Sequence, residues 1–345
     1  MNLYCSRENL KKAVGLNGTD QHAVIDGHLD AASREIEGQL HRKFYTATAT
    51  RYFDGNGCRT LLLPVGDDLL TVTTLKVDSD RNDTWDMTLV VDTDYWLWPD
   101  NSSPKTRIDL NPNGTQISAW PKSRKSVQVV GAFGHSADTI AAGTITSGLA
   151  SDAAATTFIC SDGALIDVGN TLLIATEQMF VSERIANDVG KNTAGVLAAS
   201  VTDVTLAVEA SHGINAGEMI QVDSEKFYVS SVTGNNLAVI RGYDGSVIAS
   251  HASGADVYAF RNLTVTRGVN GTTAAVHADA LDISKYAYLA DIVALCRAEA
   301  MFNYMQDKSG QSGQFGTDVA QRVDPATRNS LWRNARSAYG IGVLA

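Results

Sequence analysis

The sequence predicts an α+β protein: a body of helices and an antiparallel sheet, interrupted by an all-β insertion. Three observations lead to this fold class. Apolar residues recur at helical spacing near both ends of the 345-residue chain, strand-like runs fill residues 46–135, and residues 137–280 repeat a β pattern without any proline. We therefore assign residues 1–136 and 281–345 to a discontinuous body and residues 137–280 to the insertion.

The first part of the chain has the signature of two helices. Ser6 is a suitable N-cap for a short first helix, and Asp20 for a longer second one. The second helix places five apolar residues on one face, namely Ile25, Leu29, Ala32, Ile36 and Leu40. We expect this face to pack in a core.

Short strand-like runs follow the second helix. They combine β-branched and aromatic residues and end at Pro, Gly, Asn or Asp, as in LLTVTTLKVDSD, TLVVDTDYWLWP and SVQVVGAFG. This texture predicts a compact antiparallel sheet.

The chain returns to helix near its C-terminal end. Ser284 is a candidate N-cap for a helix that runs to Gln306 and carries Leu289, Ile292 and Phe302 on an apolar stripe. The stripe fits packing within the chain and packing between subunits equally well.

A last helix follows a stretch rich in glycine and serine. Asp324-Pro325 combines an N-cap with proline at the first helical position, and Gly340 ends the pattern. Residues 306–345 form a basic arm through four arginines: Arg322, Arg328, Arg333 and Arg336.

Two stretches of the insertion occur twice. Thr157–Ser182 aligns without gaps on Thr205–Ser230 at an offset of 48 residues, and Leu237–His251 aligns on Leu263–His277 at an offset of 26. Thr205–Ser230 is followed almost directly by Leu237–His251. Thr157–Ser182 and Leu263–His277, in contrast, are separated by both of these stretches.

We interpret this order as nesting. An outer module of residues 157–182 and 263–280 has received a copy of itself, residues 205–257, between its halves. Loop ends lie close together in a small β domain, so such an insertion leaves the host core intact. Short strands separated by GN, GE and TGNN turns predict a small barrel or sandwich. The stretches RGYDGS and RGVNGT contain Asp-Gly and Asn-Gly, which predict turns with positive φ.

Charge also separates the insertion from the body. Residues 137–280 hold 15 acidic and 6 basic residues, which gives a net charge of −9. The rest of the chain holds 23 acidic and 22 basic residues, a net charge of −1, so the whole chain has a net charge of −10. A net charge of this sign disfavours nucleic-acid binding by the insertion.

Several chemical signals are weaker than their structural alternatives. His251 and His277 recur at equivalent positions but lack further metal ligands at suitable spacing, and we expect each to make one structural hydrogen bond. Arg241 and Arg267 also recur, and within this acidic segment we expect them to pair with local carboxylates rather than with phosphate.

Other site signatures are incomplete or missing. Asp78, Asp80 and Asn82 match three calcium-loop positions, but Asp83 replaces the required glycine and Leu89 stands in place of the bidentate glutamate. The chain has no P-loop, Rossmann, GxSxG or HExxH motif. Four widely spaced cysteines give no zinc or disulfide pattern, and the longest apolar runs are too short to span a membrane. We expect no catalysis, no cofactor and no membrane association.

The two flanks together resemble the head-tail connector (adaptor) family of tailed bacteriophages. The resemblance lies in the order of AASREIEGQLHRKFY, RYFDG, VTTLKVD, DYWLWP and SVQVVGAFG, followed by a long helix and a basic tail. It covers about residues 1–135 and 281–345, and it implies a helical adaptor body.

The resemblance also implies a function. Such a protein is a structural part of the virion neck and is assembled in the host cytoplasm. In the neck, a ring of twelve copies joins the portal protein to a downstream neck or tail-completion protein. Double-stranded DNA passes through the ring without sequence-specific binding. The alternatives are a virion-surface β module that binds a carbohydrate or protein, and a hydrolase with an unrecognised site.

Two sets of residues follow from this function. The C-terminal arm is expected to dock on the portal, because tryptophan and arginine are common anchors at interfaces; the docking set is Arg322, Arg328, Leu331, Trp332, Arg333, Arg336 and Tyr339. The apolar helix faces are candidates for packing between subunits; this set is Ile25, Leu29, Ile36, Leu40, Leu289, Ile292 and Phe302.

Overall fold

A computed structural model describes residues 2–16, 18–308 and 325–340 of the chain. This described part is mostly β structure, with seventeen strands and four α-helices, and ten of the strands form one sheet. The predicted fold class, an α+β protein with a helical adaptor body, is therefore wrong. The helical patterns at the two ends of the chain supply a single packed layer, whereas strands dominate the long stretch between them.

The four helices pack against one another in that layer. Their bounds are α1 (Arg7–Val14), α2 (His22–Leu40), α3 (Ala290–Lys308) and α4 (Pro325–Tyr339). Their apolar faces meet in one core, which contains Leu10, Leu29, Leu295 and Trp332. Helices from both ends of the sequence thus close a single helical core.

The predicted helix ends are only partly correct. Ser6 caps α1, since its side chain accepts a hydrogen bond from the Asn9 N–H. Asp20 does not cap α2: the N-cap is Gln21, which makes no capping hydrogen bond and donates from its side chain to Asp20 instead. Pro325 begins α4 as predicted, whereas Asp324 lies outside the described residues.

Two small antiparallel sheets complete the body. The four-stranded sheet has the order β1 (Ala47–Phe53), β7 (Val127–Phe133), β3 (Leu69–Val77) and β4 (Met87–Leu89). The three-stranded sheet has the order β2 (Thr60–Leu62), β6 (Arg107–Leu110) and β5 (Tyr95–Trp98). They share a core around Trp120, Ile108 and Val129. The strand-like texture of residues 46–135 therefore forms two antiparallel sheets.

The ten-stranded sheet is formed by the inserted segment together with residues 282–286. Its strands are β8 (Thr139–Ser147), β9 (Thr157–Cys160), β10 (Thr171–Ile174), β11 (Glu177–Asn192), β12 (Thr205–Ala207), β13 (Met219–Val222), β14 (Glu225–Thr233), β15 (Asn236–Ile240), β16 (Asp256–Thr266) and β17 (Asp282–Tyr286).

Strand pairing closes this sheet into two barrels. Around the outer barrel the order is β10, β11, β16, β9, β8 and β17, and β17 pairs again with β10. Around the inner barrel it is β16, β13, β14, β15, β12 and β11, where the Thr193–Val208 bridge joins β12 to the end of β11. Closure leaves neither barrel with a long unpaired edge.

The two barrels have the same register. Leu172 lies opposite Met179 in the outer barrel, and their counterparts 48 residues later, Ile220 and Phe227, lie opposite each other in the inner one. Each barrel encloses its own apolar core. The repeat detected in the sequence is therefore a repeat of strand pairing and packing.

Two long strands are shared by the barrels. The first part of β11 and the last part of β16 pair in the outer barrel, through Val181 and Val265, and the remaining parts pair in the inner barrel, through Asn187 and Ala259. At the junction the buried Glu218 accepts hydrogen bonds from Arg261 and from the Gly163 N–H. The inner copy thus continues the strands of the outer copy.

The outer barrel extends beyond the predicted end of the repeat. β17 pairs with β8 and β10, and it occupies the place that the first part of β16 takes in the inner barrel. The prediction that Ser284 caps a helix is wrong, because Ser284 lies within β17 and α3 begins at Ala290. The boundary proposed at residue 280 falls just before this strand.

A buried glutamate organises the closing loop of each barrel. Glu177 accepts hydrogen bonds from Arg267 at 2.7 Å and from His277 at 2.8 Å, and it also accepts the N–H groups of Gly268 and Ala275. The loop that follows β16 is therefore held to the start of β11 by one carboxylate.

The inner barrel repeats the same arrangement. Glu225 accepts hydrogen bonds from Arg241 at 2.8 Å and from His251 at 2.9 Å, together with the N–H groups of Gly242 and Ala249. His251 also contacts Asp223 through its other ring nitrogen. The predicted pairing of Arg241 and Arg267 with carboxylates is confirmed, as is the single hydrogen bond of His277, whereas His251 makes two contacts instead of the one predicted.

These partners keep both glutamates ionised. Burial by itself raises the pKa of Glu177, but Arg267, the Ala275 N–H, His277 and the Gly268 N–H lower it to about 2. The pKa of Glu225 is likewise lowered to about 2, because Arg241, the Ala249 N–H, His251 and the Gly242 N–H outweigh its burial.

Equivalent turns of the two barrels contact the N-terminal segment. Asn270 (φ 56°) exchanges side-chain hydrogen bonds with Asn2, and its counterpart Asp244 (φ 57°) pairs with Lys11 of α1. The Tyr243 hydroxyl also donates to Glu8 at 2.9 Å. Both predicted positive-φ turns are present, and they fix the insertion against the body.

We predict that Glu225→Gln lowers the free energy of unfolding by about 3–5 kcal/mol, because the buried Arg241 then lacks its charged partner. Urea denaturation measures the loss, and hydrogen exchange of peptides from residues 205–251 locates it in the inner barrel. Glu183→Gln is the matched control, since Glu183 is exposed. Equal stability of the two variants would contradict the structural role of the cluster.

We also predict a loss of stability in acid. Glu177 and Glu225 have a pKa near 4.5 in the unfolded chain and about 2 in the folded protein. Their contribution to the free energy of unfolding is therefore complete above about pH 5 and is lost as the pH falls towards 2. At 1.36 kcal/mol per pKa unit, each contributes on the order of 3 kcal/mol. Between pH 7 and pH 2.5, the urea concentration at the unfolding midpoint should fall less steeply for Glu225→Gln than for the wild type. Parallel pH profiles of the two proteins would contradict the lowered pKa of Glu225.

Candidate functional site

The candidate site is an open groove beside the last helix. It has a volume of about 530 Å³ and is lined by Gln39 of α2 and by five residues of α4: Arg328, Asn329, Trp332, Arg333 and Arg336. Four of these residues belong to the docking set predicted from the sequence. The structure therefore brings much of that set to one surface.

A buried carboxylate fixes α4 beside this groove. Glu299 of α3 has no exposed surface, and it accepts hydrogen bonds from Arg328 Nε at 2.7 Å and Nη2 at 2.8 Å. The Trp332 indole N–H donates to the same carboxylate, and its ring is buried in the helical core. Arg328 and Trp332 thus attach α4 to the chain itself.

The outer face of α4 keeps its positive charge. Arg333 is exposed and makes no ion pair with any residue the structure describes. Arg336 lies with its guanidinium 5.3 Å from the centre of the Trp332 ring and donates to Gln39. None of the described residues that line the groove is a carboxylate, and this lining suits an anionic group of a partner.

The other predicted docking residues have different positions. Tyr339 packs edge-on against Phe44 and His135, and burial together with the nearby Asp291 raises its pKa to about 12. Leu331 is partly buried against the helical core. Arg322 lies outside the described residues.

The residues proposed for subunit packing lie mainly inside the chain. Ile25, Leu29, Ile36, Leu40 and Ile292 are fully buried in the helical core, and Leu289 is partly buried against it. Phe302 is covered by the Arg328 guanidinium, 4.5 Å from the ring centre. Contact between subunits stays a prediction, and it would have to use the outer faces of these helices.

The acidic loop after β3 has a structural explanation. Asp78 is buried and accepts the N–H groups of Arg81, Asn82 and Asp83, which fold the loop around its carboxylate. Oxygens of Asp78, Asp80 and Asp86 lie within 4.8 Å of one another. The incomplete calcium-loop pattern therefore corresponds to a carboxylate that stabilises a turn, and the Asn82 side chain donates a hydrogen bond to Asp80 beside it.

Sequence reasoning missed two parts of the site. Glu299 lies four residues after Leu295 on the same face of α3, which the apolar pattern marks as buried, so an acidic residue there predicts a charged partner. Gln39 has no comparable signal, because its contact with Arg336 spans 297 residues.

Comparison with known proteins finds no family model, no curated protein and no solved structure that matches this chain. The resemblance to head-tail connectors rests on the sequence patterns quoted above. Across the described ranges, none of the helices is both long enough and apolar enough to cross a membrane.

We predict that Trp332→Ala lowers the free energy of unfolding by about 3–5 kcal/mol, because it empties a core position and leaves Glu299 without one donor. Arg333→Ala, one residue away on the exposed face, should change it by less than about 0.5 kcal/mol. Urea denaturation of the two variants tests the distinction. A mild effect of Trp332→Ala would mean that the ring is free for a partner instead.

Proposed function

We propose that the protein is a structural subunit of a tailed-bacteriophage neck, which forms a ring between the portal protein and the tail and continues the DNA channel. The observation that carries this proposal is the basic groove on α4. Sequence patterns place the docking arm at this helix, and the exposed Arg333 and Arg336 lie on its outer face.

The anchoring of α4 supports a docking role for its outer face. Association is favoured when a binding surface is ordered beforehand, because less conformational entropy is then lost. Arg328 and Trp332 hold the helix through Glu299, so the remaining arginines are presented from a fixed helix. An acidic surface of the portal is the complementary partner.

The distribution of charge supports passage of DNA. A strongly cationic channel would hold the phosphates through counterion release. The body has a net charge of −1 and the inserted segment a net charge of −9, so the chain has no large excess of basic residues. We propose a dodecameric ring, with a downstream neck or tail-completion protein on its other side.

Electron microscopy of the purified chain with and without portal protein tests the proposal. Closed rings that join the portal support it. A monodisperse monomer that ignores the portal under assembly conditions overturns it.

We predict that the double variant Arg333→Glu, Arg336→Glu binds the portal at least about tenfold more weakly, because reversed charges repel an acidic surface. Co-sedimentation with portal protein measures the change. Lys122→Glu, Arg124→Glu is the matched control, since both side chains are exposed on the body far from α4 in the sequence. Equal losses in the two variants would point to nonspecific electrostatics and contradict docking at the groove.

A further inference from the structure

The three-stranded sheet has an exposed aromatic face. Cross-strand pairing places Arg107 between Trp98 on one neighbouring strand and Leu62 on the other, and places Trp96 opposite Asp109. The exposed fractions are 45% for Trp98, 40% for Trp96 and 69% for Leu62. Two large rings thus stand side by side on one strand, where soluble proteins normally expose few such groups.

The opposite face explains why these rings point outward. Leu61, Tyr95, Ile108 and Leu110 alternate with the exposed residues and are buried in the sheet core. Since strand side chains alternate between faces, the register that buries those four residues commits the two tryptophans to solvent. The exposure is therefore fixed by the backbone.

The charges on this face cancel each other. Arg107 Nε donates to Asp109 Oδ2 at 2.9 Å, and its guanidinium lies 4.6 Å from the centre of the Trp98 ring. The second oxygen, Asp109 Oδ1, is enclosed and accepts no hydrogen bond from the described residues. The face therefore combines aromatic rings, no net charge and an acceptor that lacks a donor.

The size of the patch favours a small ligand over another protein. A tryptophan side chain of roughly 250 Å² at these exposures offers on the order of 100 Å². Two rings and one leucine give far less than the roughly 800 Å² that each partner contributes to a stable protein interface. A second copy of the chain would need contacts well beyond these residues.

We infer that this face binds a neutral oligosaccharide. The C–H surfaces of sugar rings stack on the exposed parts of Trp96 and Trp98 beside the Arg107 guanidinium, and a sugar hydroxyl donates to Asp109 Oδ1 once the side chains that enclose this oxygen move aside. The cancelled charge of Arg107 and Asp109 disfavours nucleic acid, which requires excess positive charge. This inference is independent of the proposed portal contact, since the two surfaces lie on different elements.

A neutral-glycan array probed with the full chain tests the inference. We expect retention of one or more neutral glycans, confirmed by a change in tryptophan fluorescence on titration with the retained glycan. Trp96→Ala and Trp98→Ala should each weaken binding about tenfold or more. Tyr52→Ala is the matched control, because Tyr52 is an equally exposed aromatic residue on a different sheet.

Each other outcome overturns the inference. No retained neutral glycan, or retention that Trp96→Ala and Trp98→Ala leave unchanged, excludes a sugar site on this face. A dimer in sedimentation experiments that either substitution disrupts identifies the face as a contact between copies of the chain. Circular dichroism establishes that both variants fold, since neither residue belongs to the sheet core.

Discussion

One buried carboxylate with an arginine and a histidine is the constraint on which each barrel depends. A six-stranded barrel of short strands has a small core, so a long closing loop needs a specific polar anchor. Glu177 and Glu225 provide it by accepting hydrogen bonds from two side chains and two backbone N–H groups each. A buried charge is costly unless fully paired, and full pairing fixes the path of the loop. That path presents Asn270 or Asp244 to the N-terminal segment.

Nesting follows from the way the strands are shared. β11 and β16 each begin in one barrel and end in the other, so the inner module is connected to its host by a two-stranded antiparallel ladder rather than by flexible linkers. Such a ladder transmits orientation, because its backbone hydrogen bonds restrain both strands together. The buried Glu218 and the partly buried Arg261 add an ion pair at the junction. We therefore expect the two barrels and the N-terminal helices to behave as one rigid unit.

The helical core illustrates how a predicted interface residue acquires another role. Trp332 and Arg328 have the composition of a docking site, and both bind Glu299 within the chain. What remains for a partner is the outer surface of α4, where the exposed Arg333 makes no ion pair within the part of the chain that the structure describes. The groove and the Trp96–Trp98 face lie on different elements, so the chain offers two chemically distinct surfaces: one basic, the other neutral and aromatic.

The sequence by itself determined the local and periodic features. Capping by Ser6, the start of α4 at Pro325, the positive-φ turns, the nested order of the repeat and the pairing of Arg241 and Arg267 with carboxylates all depend on nearby residues or on exact repetition. The tertiary structure decided the rest. Residues 282–286 form a strand because they pair with β8 and β10 and complete the outer barrel. The mostly β fold likewise follows from pairings between segments that are distant in the sequence. Such pairings, like the contact between Gln39 and Arg336, depend on chain folding in space, which short-range patterns do not encode.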